Sequence, residues 1–186
     1  MAQIDTIGLV ELSSVARGFV VQDAMLKAAS VEILMARTIC SGKFLIAVAG
    51  DVASVNAAIE TGTSASFGFM IERRVLSGLH PSILPAIGGN VDMYPSQMKG
   101  LGVIETFSAS SIIEVADAAV KAANVTLLRV HLAMALGGKG FVLMTGDVAS
   151  LDAAVAAGCA IARRDGILVD RAVIPSPAKE VFREFV

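Results

Sequence analysis

The stretch Thr38-Ile39-Cys40-Ser41-Gly42-Lys43-Phe44 sets one thiol in a short polar turn between two apolar runs. A thiolate is a nucleophile and a soft metal ligand, and either role needs partners. None stands near it in sequence: the other cysteine is Cys159, and neither His80 nor His131 has a neighbour at ligand spacing. Cys40 alone therefore leaves three readings open: a small packing side chain, a nucleophile, or a ligand whose partners lie on other chains. Cys159, inside Ala-Ala-Val-Ala-Ala-Gly-Cys-Ala-Ile-Ala, reads as a core residue. Gly137-Gly138-Lys139-Gly140 has the glycines and lysine of a phosphate loop, but that loop needs Ser or Thr directly after its lysine. Glu11 and Glu105 stand at matching positions and read as structural, because duplication explains their pairing. HExxH and CxxC are absent, and no Ser, His and Asp set has supporting context. The chain reads as a non-enzyme.

The elements that must position these residues come in two copies. Ile7-Gly8-Leu9-Val10-Glu11 returns as Leu101-Gly102-Val103-Ile104-Glu105, and Asp23 to Val31 returns as Asp117 to Val125, both at an offset of 94 residues. Gly50-Asp51-Val52-Ala53-Ser54-Val55 returns as Gly146-Asp147-Val148-Ala149-Ser150-Leu151 at an offset of 96. About two extra residues therefore sit between Arg129 and Lys139, opposite the Cys40 turn. A period this long suits two complete small domains, residues 4–87 and 99–186, joined by a linker of Gly-, Asn- and Pro-bearing composition over 88–98.

Each copy reads as a short strand (Ile7 to Glu11), then a serine-rich lead-in whose oxygens can cap a helix, at Ser13-Ser14 or Ser108 to Ser111. Two strand-like runs follow, Val31 to Met35 and Phe44 to Ala49, repeated as Val125 to Val130 and Phe141 to Thr145. Asp51 opens a second helix, and a last strand closes each copy, Met70 to Leu76 and Ile167 to Ile174. Strand–helix–strand–strand–helix–strand is the split βαβ, ferredoxin-like α/β (α+β) pattern, in unpermuted order.

Composition narrows the function classes. The chain has 186 residues, of which 55% are hydrophobic and 17% charged, with no tryptophan, so it buries much of its surface internally or against other chains. A net charge of −2 with scattered basic residues argues against nucleic acid and against an anionic membrane surface. The longest uncharged run, Val75 to Val91, carries glycines, prolines and a histidine and makes a poor membrane span. The start, Met-Ala-Gln-Ile-Asp, lacks a signal peptide's pattern, and two unpaired-looking cysteines point to a reducing, cytoplasmic setting.

Gly8 with Glu11, Asp23-x-x-x-Lys27-Ala28-Ala29, Gly50-Asp51-Val52 and the closing Val173-Ile174-Pro175-x-Pro177 resemble the signature of bacterial microcompartment (BMC) shell domains. The resemblance runs through both halves and is to the tandem-domain, trimeric type, nearest the T-type members of propanediol utilisation. It implies a homotrimer forming a pseudo-hexameric tile, packed with other shell proteins in a microcompartment shell. It implies that the turn after the second strand lines a central pore, here Thr38, Ile39, Cys40, Ser41 and Gly42, with Leu136, Gly137 and Gly138 from the second half. His131 lies at the end of the strand leading into that second turn. The resemblance also implies that Lys27 and Lys121 lie at the tile edge. It further implies that Cys40 from three chains binds a [4Fe–4S] iron–sulfur cluster on the axis, for electron or cluster transfer to or from enclosed redox enzymes. The closing motif departs from the family's Ile-Pro-Arg-Pro-His: this chain has Ile174-Pro175-Ser176-Pro177-Ala178 and, in the first half, Leu76-Ser77-Gly78-Leu79-His80. Two other readings share the fold: a metal-free shell pore for small metabolites, and a cytoplasmic ligand-binding or regulatory oligomer.

Overall fold

The computed structural model describes residues 6–91, 93–133 and 136–182, without the side chains of Ser41 and Pro95. The expected domain ends at 4–5 and 183–186, and Asp92 of the expected linker, lie outside the described residues. The chain forms two compact units, Met1–Leu79 and His80–Val186.

The first unit runs β1 (Thr6–Leu12), α1 (Val15–Ala28), β2 (Glu32–Ile39), β3 (Lys43–Gly50), α2 (Val52–Ala65) and β4 (Met70–Leu76). Its sheet has the order β2-β3-β1-β4, and every neighbouring pair is antiparallel. β1 and β2 therefore run parallel with β3 between them, which is the split βαβ arrangement expected. Val10, Leu12, Ile46 and Val48 from the sheet meet Val21 and Met25 of α1 and Val55, Ala58 and Ile59 of α2. Each large aliphatic side chain buried this way contributes about 1.5–3 kcal/mol.

The second unit opens with α3 (Ile83–Gly88), which overlaps the end of the expected first domain and the start of the expected linker, and then repeats the order. It runs β5 (Gly100–Thr106), α4 (Ser111–Ala122), β6 (Thr126–Leu132), β7 (Gly140–Gly146), α5 (Val148–Arg164) and β8 (Leu168–Ile174). Its sheet is β6-β7-β5-β8, again antiparallel throughout. Even the irregularities are duplicated: the register shifts at Glu11/Leu12 and Glu105/Thr106, and at Ile33/Met35 and Leu127/Arg129.

Local chemistry sets the helix starts. The Ser14 hydroxyl accepts from the Arg17 N–H at 3.3 Å, and the Asp51 and Asp147 carboxylates accept from the N–H groups of Ser54 and Ser150 at 2.9 Å each. α4 differs. Ser110 holds the cap position without a side-chain cap bond, and the Ser108 hydroxyl accepts from the Ser111 N–H instead. Gly8 sits mid-strand because α2 passes close over it: a Cβ there would lie 2.8 Å from Val55.

Candidate functional site

The connection between β2 and β3 is short. Ile39 pairs with Lys43 across the hairpin, leaving Cys40, Ser41 and Gly42 as a single 3₁₀ turn. Gly42 has φ +72°, and a Cβ there would meet nothing within 4 Å, so glycine is required by backbone conformation and not by crowding. Thr38 and Gly42 are exposed, Cys40 is half-buried and Ile39 is buried. No disulfide involves Cys40 or Cys159.

The base of this turn is fixed by charge. Lys43 Nζ lies 2.7 Å from Glu11 Oε1, and the Glu11 side chain is only 9% exposed. The Lys43 ammonium is thus committed to a carboxylate, which leaves it little capacity to offset charge on the Cys40 thiolate.

The duplicated turn is built on the same clamp with a different loop. Leu132 pairs with Gly140, and the connection runs from Ala133 to Lys139. Met134 and Ala135 within it lie outside the described residues. The Ala133 N–H donates to the Lys139 carbonyl at 3.1 Å, and the Lys139 N–H donates to the Leu136 carbonyl at 3.2 Å. Gly137 and Gly138 take φ +63° and +92°. Lys139 Nζ lies 2.9 Å from Glu105 Oε1. Both glutamates are structural, as their matching positions suggest. What sequence reasoning missed is that each is clamped by the lysine at the end of the turn, Lys43 or Lys139, although that lysine recurs in both copies.

The remaining candidates separate cleanly. The His131 ring stacks on Phe141, its cross-strand partner, at 4.8 Å and 11°. His80 Nδ1 lies 2.8 Å from the Ser82 hydroxyl, and the His80 N–H donates to Asp117, so it shapes the turn before α3. Cys159 is fully buried, and burial pushes its thiol above the ordinary value, as suits a core residue. Lys27 pairs with Asp23 at 2.6 Å and Lys121 with Asp117 at 2.5 Å, both one helical turn apart. Among the described residues no group of three or more His, Cys, Asp or Glu side chains is placed to hold a metal ion. One chain therefore supplies at most one thiolate at the Cys40 turn. That donor chemistry fits an iron–sulfur cluster only if several copies contribute.

The doubled split βαβ unit with a short, clamped turn at the end of each hairpin matches a known domain. The family model for the BMC domain matches the chain twice, at residues 6–78 and 100–177. The chain belongs to the BMC-domain family of bacterial microcompartment shell proteins. The bacterial microcompartment shell protein PduT of Citrobacter freundii is 44% identical over 182 residues, covering 97% of each chain. The shell protein EutM of Salmonella typhimurium (strain LT2) is 46% identical over 88 residues, which is 46% of this chain and 90% of that one. Among solved structures, a microcompartments protein from Desulfitobacterium hafniense DCB superposes with a TM-score of 0.93 at 42% identity, covering 97% of this chain and 99% of that one. The chain is thus a structural component of a microcompartment shell in the cytoplasm. Among the described residues no helix is long and apolar enough to cross a membrane.

Proposed function

We propose that the chain is a homotrimeric, pseudo-hexagonal shell tile whose two β-hairpin turns line a central pore. Its Cys40 side chains, one from each copy, bind a [4Fe–4S] cluster there. The observation that carries this reading is the placement of Cys40: a half-buried thiol at the tip of a tight, Glu11–Lys43-clamped turn, while Leu136, Gly137 and Gly138 in the duplicated turn offer no thiol. One thiolate per chain becomes three around a threefold axis, enough for three irons, with the fourth left to water or a small ligand. When bound, such a cluster exchanges single electrons. Cys40 would hold it, and the clamp would keep the turn from swinging. Lys27 and Lys121, paired to aspartates on the helix surface, would meet other shell proteins at the tile edge, and enclosed redox enzymes would be the electron partners.

Anaerobic purification tests the cluster. About four iron and four sulfide per three chains, with a low-temperature EPR signal that disappears in Cys40→Ser, is the expected result. A colourless trimer that stays iron-free after reconstitution would leave the tile and remove the cluster, favouring a metal-free pore.

A further inference from the structure

The two units are copies, yet one face differs sharply between them. On the second unit, Ile113 and Val120 of α4 and Leu127 of β6 are buried. Their counterparts on the first unit, Phe19 and Leu26 of α1 and Ile33 of β2, are exposed, Phe19 by 61% against 0% for Ile113. The neighbouring carboxylates follow suit: the Asp117 side chain is 16% exposed and that of Asp23 is 62%.

What lies on the second unit's face is the segment from His80 to Gly88. The His80 N–H donates to Asp117 Oδ1 at 2.7 Å, α3 packs against β6 and α4, and Ile83 and Ala86 are fully buried. This segment follows β4, and its duplicate must follow β8. Leu76 and Ile174 end those two strands opposite Ile7 and Leu101. Counting on from them, His80 corresponds to Ala178 and Ile83 to Val181. The backbone agrees with the count: the Ile83 N–H donates to the His80 carbonyl and the Val181 N–H to the Ala178 carbonyl, both at 3.0 Å. Phe182 anchors the second segment in its own unit against Leu101, Leu128 and Leu143. Val181 beside it stays 40% exposed, although its counterpart Ile83 is fully buried. The molecule thus shows one seat covered and its copy exposed, and one plug buried and its copy exposed.

We propose that the segment Ala178–Val181 of one chain, held from behind by Phe182, seats on α1 and β2 of the first unit of a second copy. Val181 meets Phe19, Leu26 and Ile33, and the Ala178 N–H reaches Asp23. The contact joins two different surfaces, so it is heterologous and must close into a ring or propagate. This inference rests on the homotrimer reading, which sets where the ring closes.

The test is the mass of the full-length chain by light scattering and sedimentation over a dilution series. The unaltered chain should run at three times 19.1 kDa. Val181→Asp and Ile33→Asp should each raise the concentration of half-dissociation at least about tenfold, with circular dichroism unchanged. Asp23→Arg gives a second, fully surface-placed probe should either variant unfold. Mixing Val181→Asp with Ile33→Asp should restore one intact contact and yield pairs, because each variant keeps the half that the other has lost. A monomeric unaltered chain would defeat the homotrimer reading and this seat together. Variants that stay trimeric at the wild-type concentrations would leave the trimer standing and overturn the seat, as would a mixture that gains no mass.

Discussion

Glu11–Lys43 and Asp23–Lys27 are ion pairs of nearly equal length, 2.7 and 2.6 Å, but burial separates their worth. Glu11 is almost out of water, whereas both partners of the second pair are mostly in it. Glu11→Ala strands an ammonium against the sheet and should cost about 1–3 kcal/mol, toward the low end because Lys43 keeps some solvent. Lys27→Ala should change stability by about 0.5 kcal/mol or less. Urea unfolding of the two variants decides it, and equal losses would mean that burial is not what ranks these pairs. The capping carboxylates act through pH. The Ser54 backbone N–H first, and then its hydroxyl, hold Asp51 below the ordinary carboxylate value of 3.8, and Ser150 does the same for Asp147. A pKa lowered on folding gives stabilisation that is complete above the unfolded value and lost as pH falls through the folded one. The caps should therefore add no pH slope between 5 and 7 and should add one below about 4. Replacing both with asparagine, which still caps, should flatten the acid limb of urea midpoints plotted against pH. An unchanged limb would show that other carboxylates carry it.

At the scale of elements, the two units solve one packing problem in opposite ways. In the first, Gly18 of α1 faces Phe44 of β3, and a Cβ on Gly18 would lie 2.4 Å from the ring. In the second, the helix supplies Ile112 and the strand supplies Gly140, where a Cβ would lie 2.8 Å from Ile112. Bulk has changed sides while the helix–strand contact has been kept. Gly18→Ile alone should overpack by about 1–3 kcal/mol and Phe44→Gly should open a cavity costing about 3–5 kcal/mol. The double variant should cost clearly less than the two together, with coupling of about 1 kcal/mol or more. Strict additivity in a denaturant cycle would mean that the sites do not share this space. The swap also marks where sequence reading stops. Strand order, both copies and the caps at Ser14, Asp51 and Asp147 were legible because each rests on a local pattern that appears twice. The Cys40 turn was legible from its polar residues between apolar runs. Neither Gly18 nor Gly140 announces a partner, because that partner lies on another element. The clamps were hidden for the same reason, with Glu11 and Lys43 joined only by the β1–β3 register. Residues 80–87 read as the end of the first domain, yet they are tied to the second unit through Asp117 and the packing of α3 on β6 and α4, all far along the chain.

At the scale of the whole molecule, a duplicated chain that closes a ring must bury every repeated contact once inside itself and once against a neighbour. The last described turn, Lys179–Phe182, puts both cases on adjacent residues. Phe182 is buried on its own sheet with Leu101, Leu128 and Leu143, whereas Val181 faces outward. In the dilute, dissociated chain, Phe182→Ala should therefore cost about 3 kcal/mol or more, the ordinary loss for a buried phenylalanine. Val181→Ala should stay within about 0.5 kcal/mol, as surface changes do. Concentration reverses the ranking of interest. A contact made only between copies stabilises by mass action, so the unfolding temperature of the unaltered chain should climb with protein concentration. Val181→Ala should flatten that climb, while Phe182→Ala should lower the whole curve. If Val181→Ala weakens the dilute chain as much as Phe182→Ala does, Val181 belongs to the core of its own unit and the seat on α1 and β2 has no need of it.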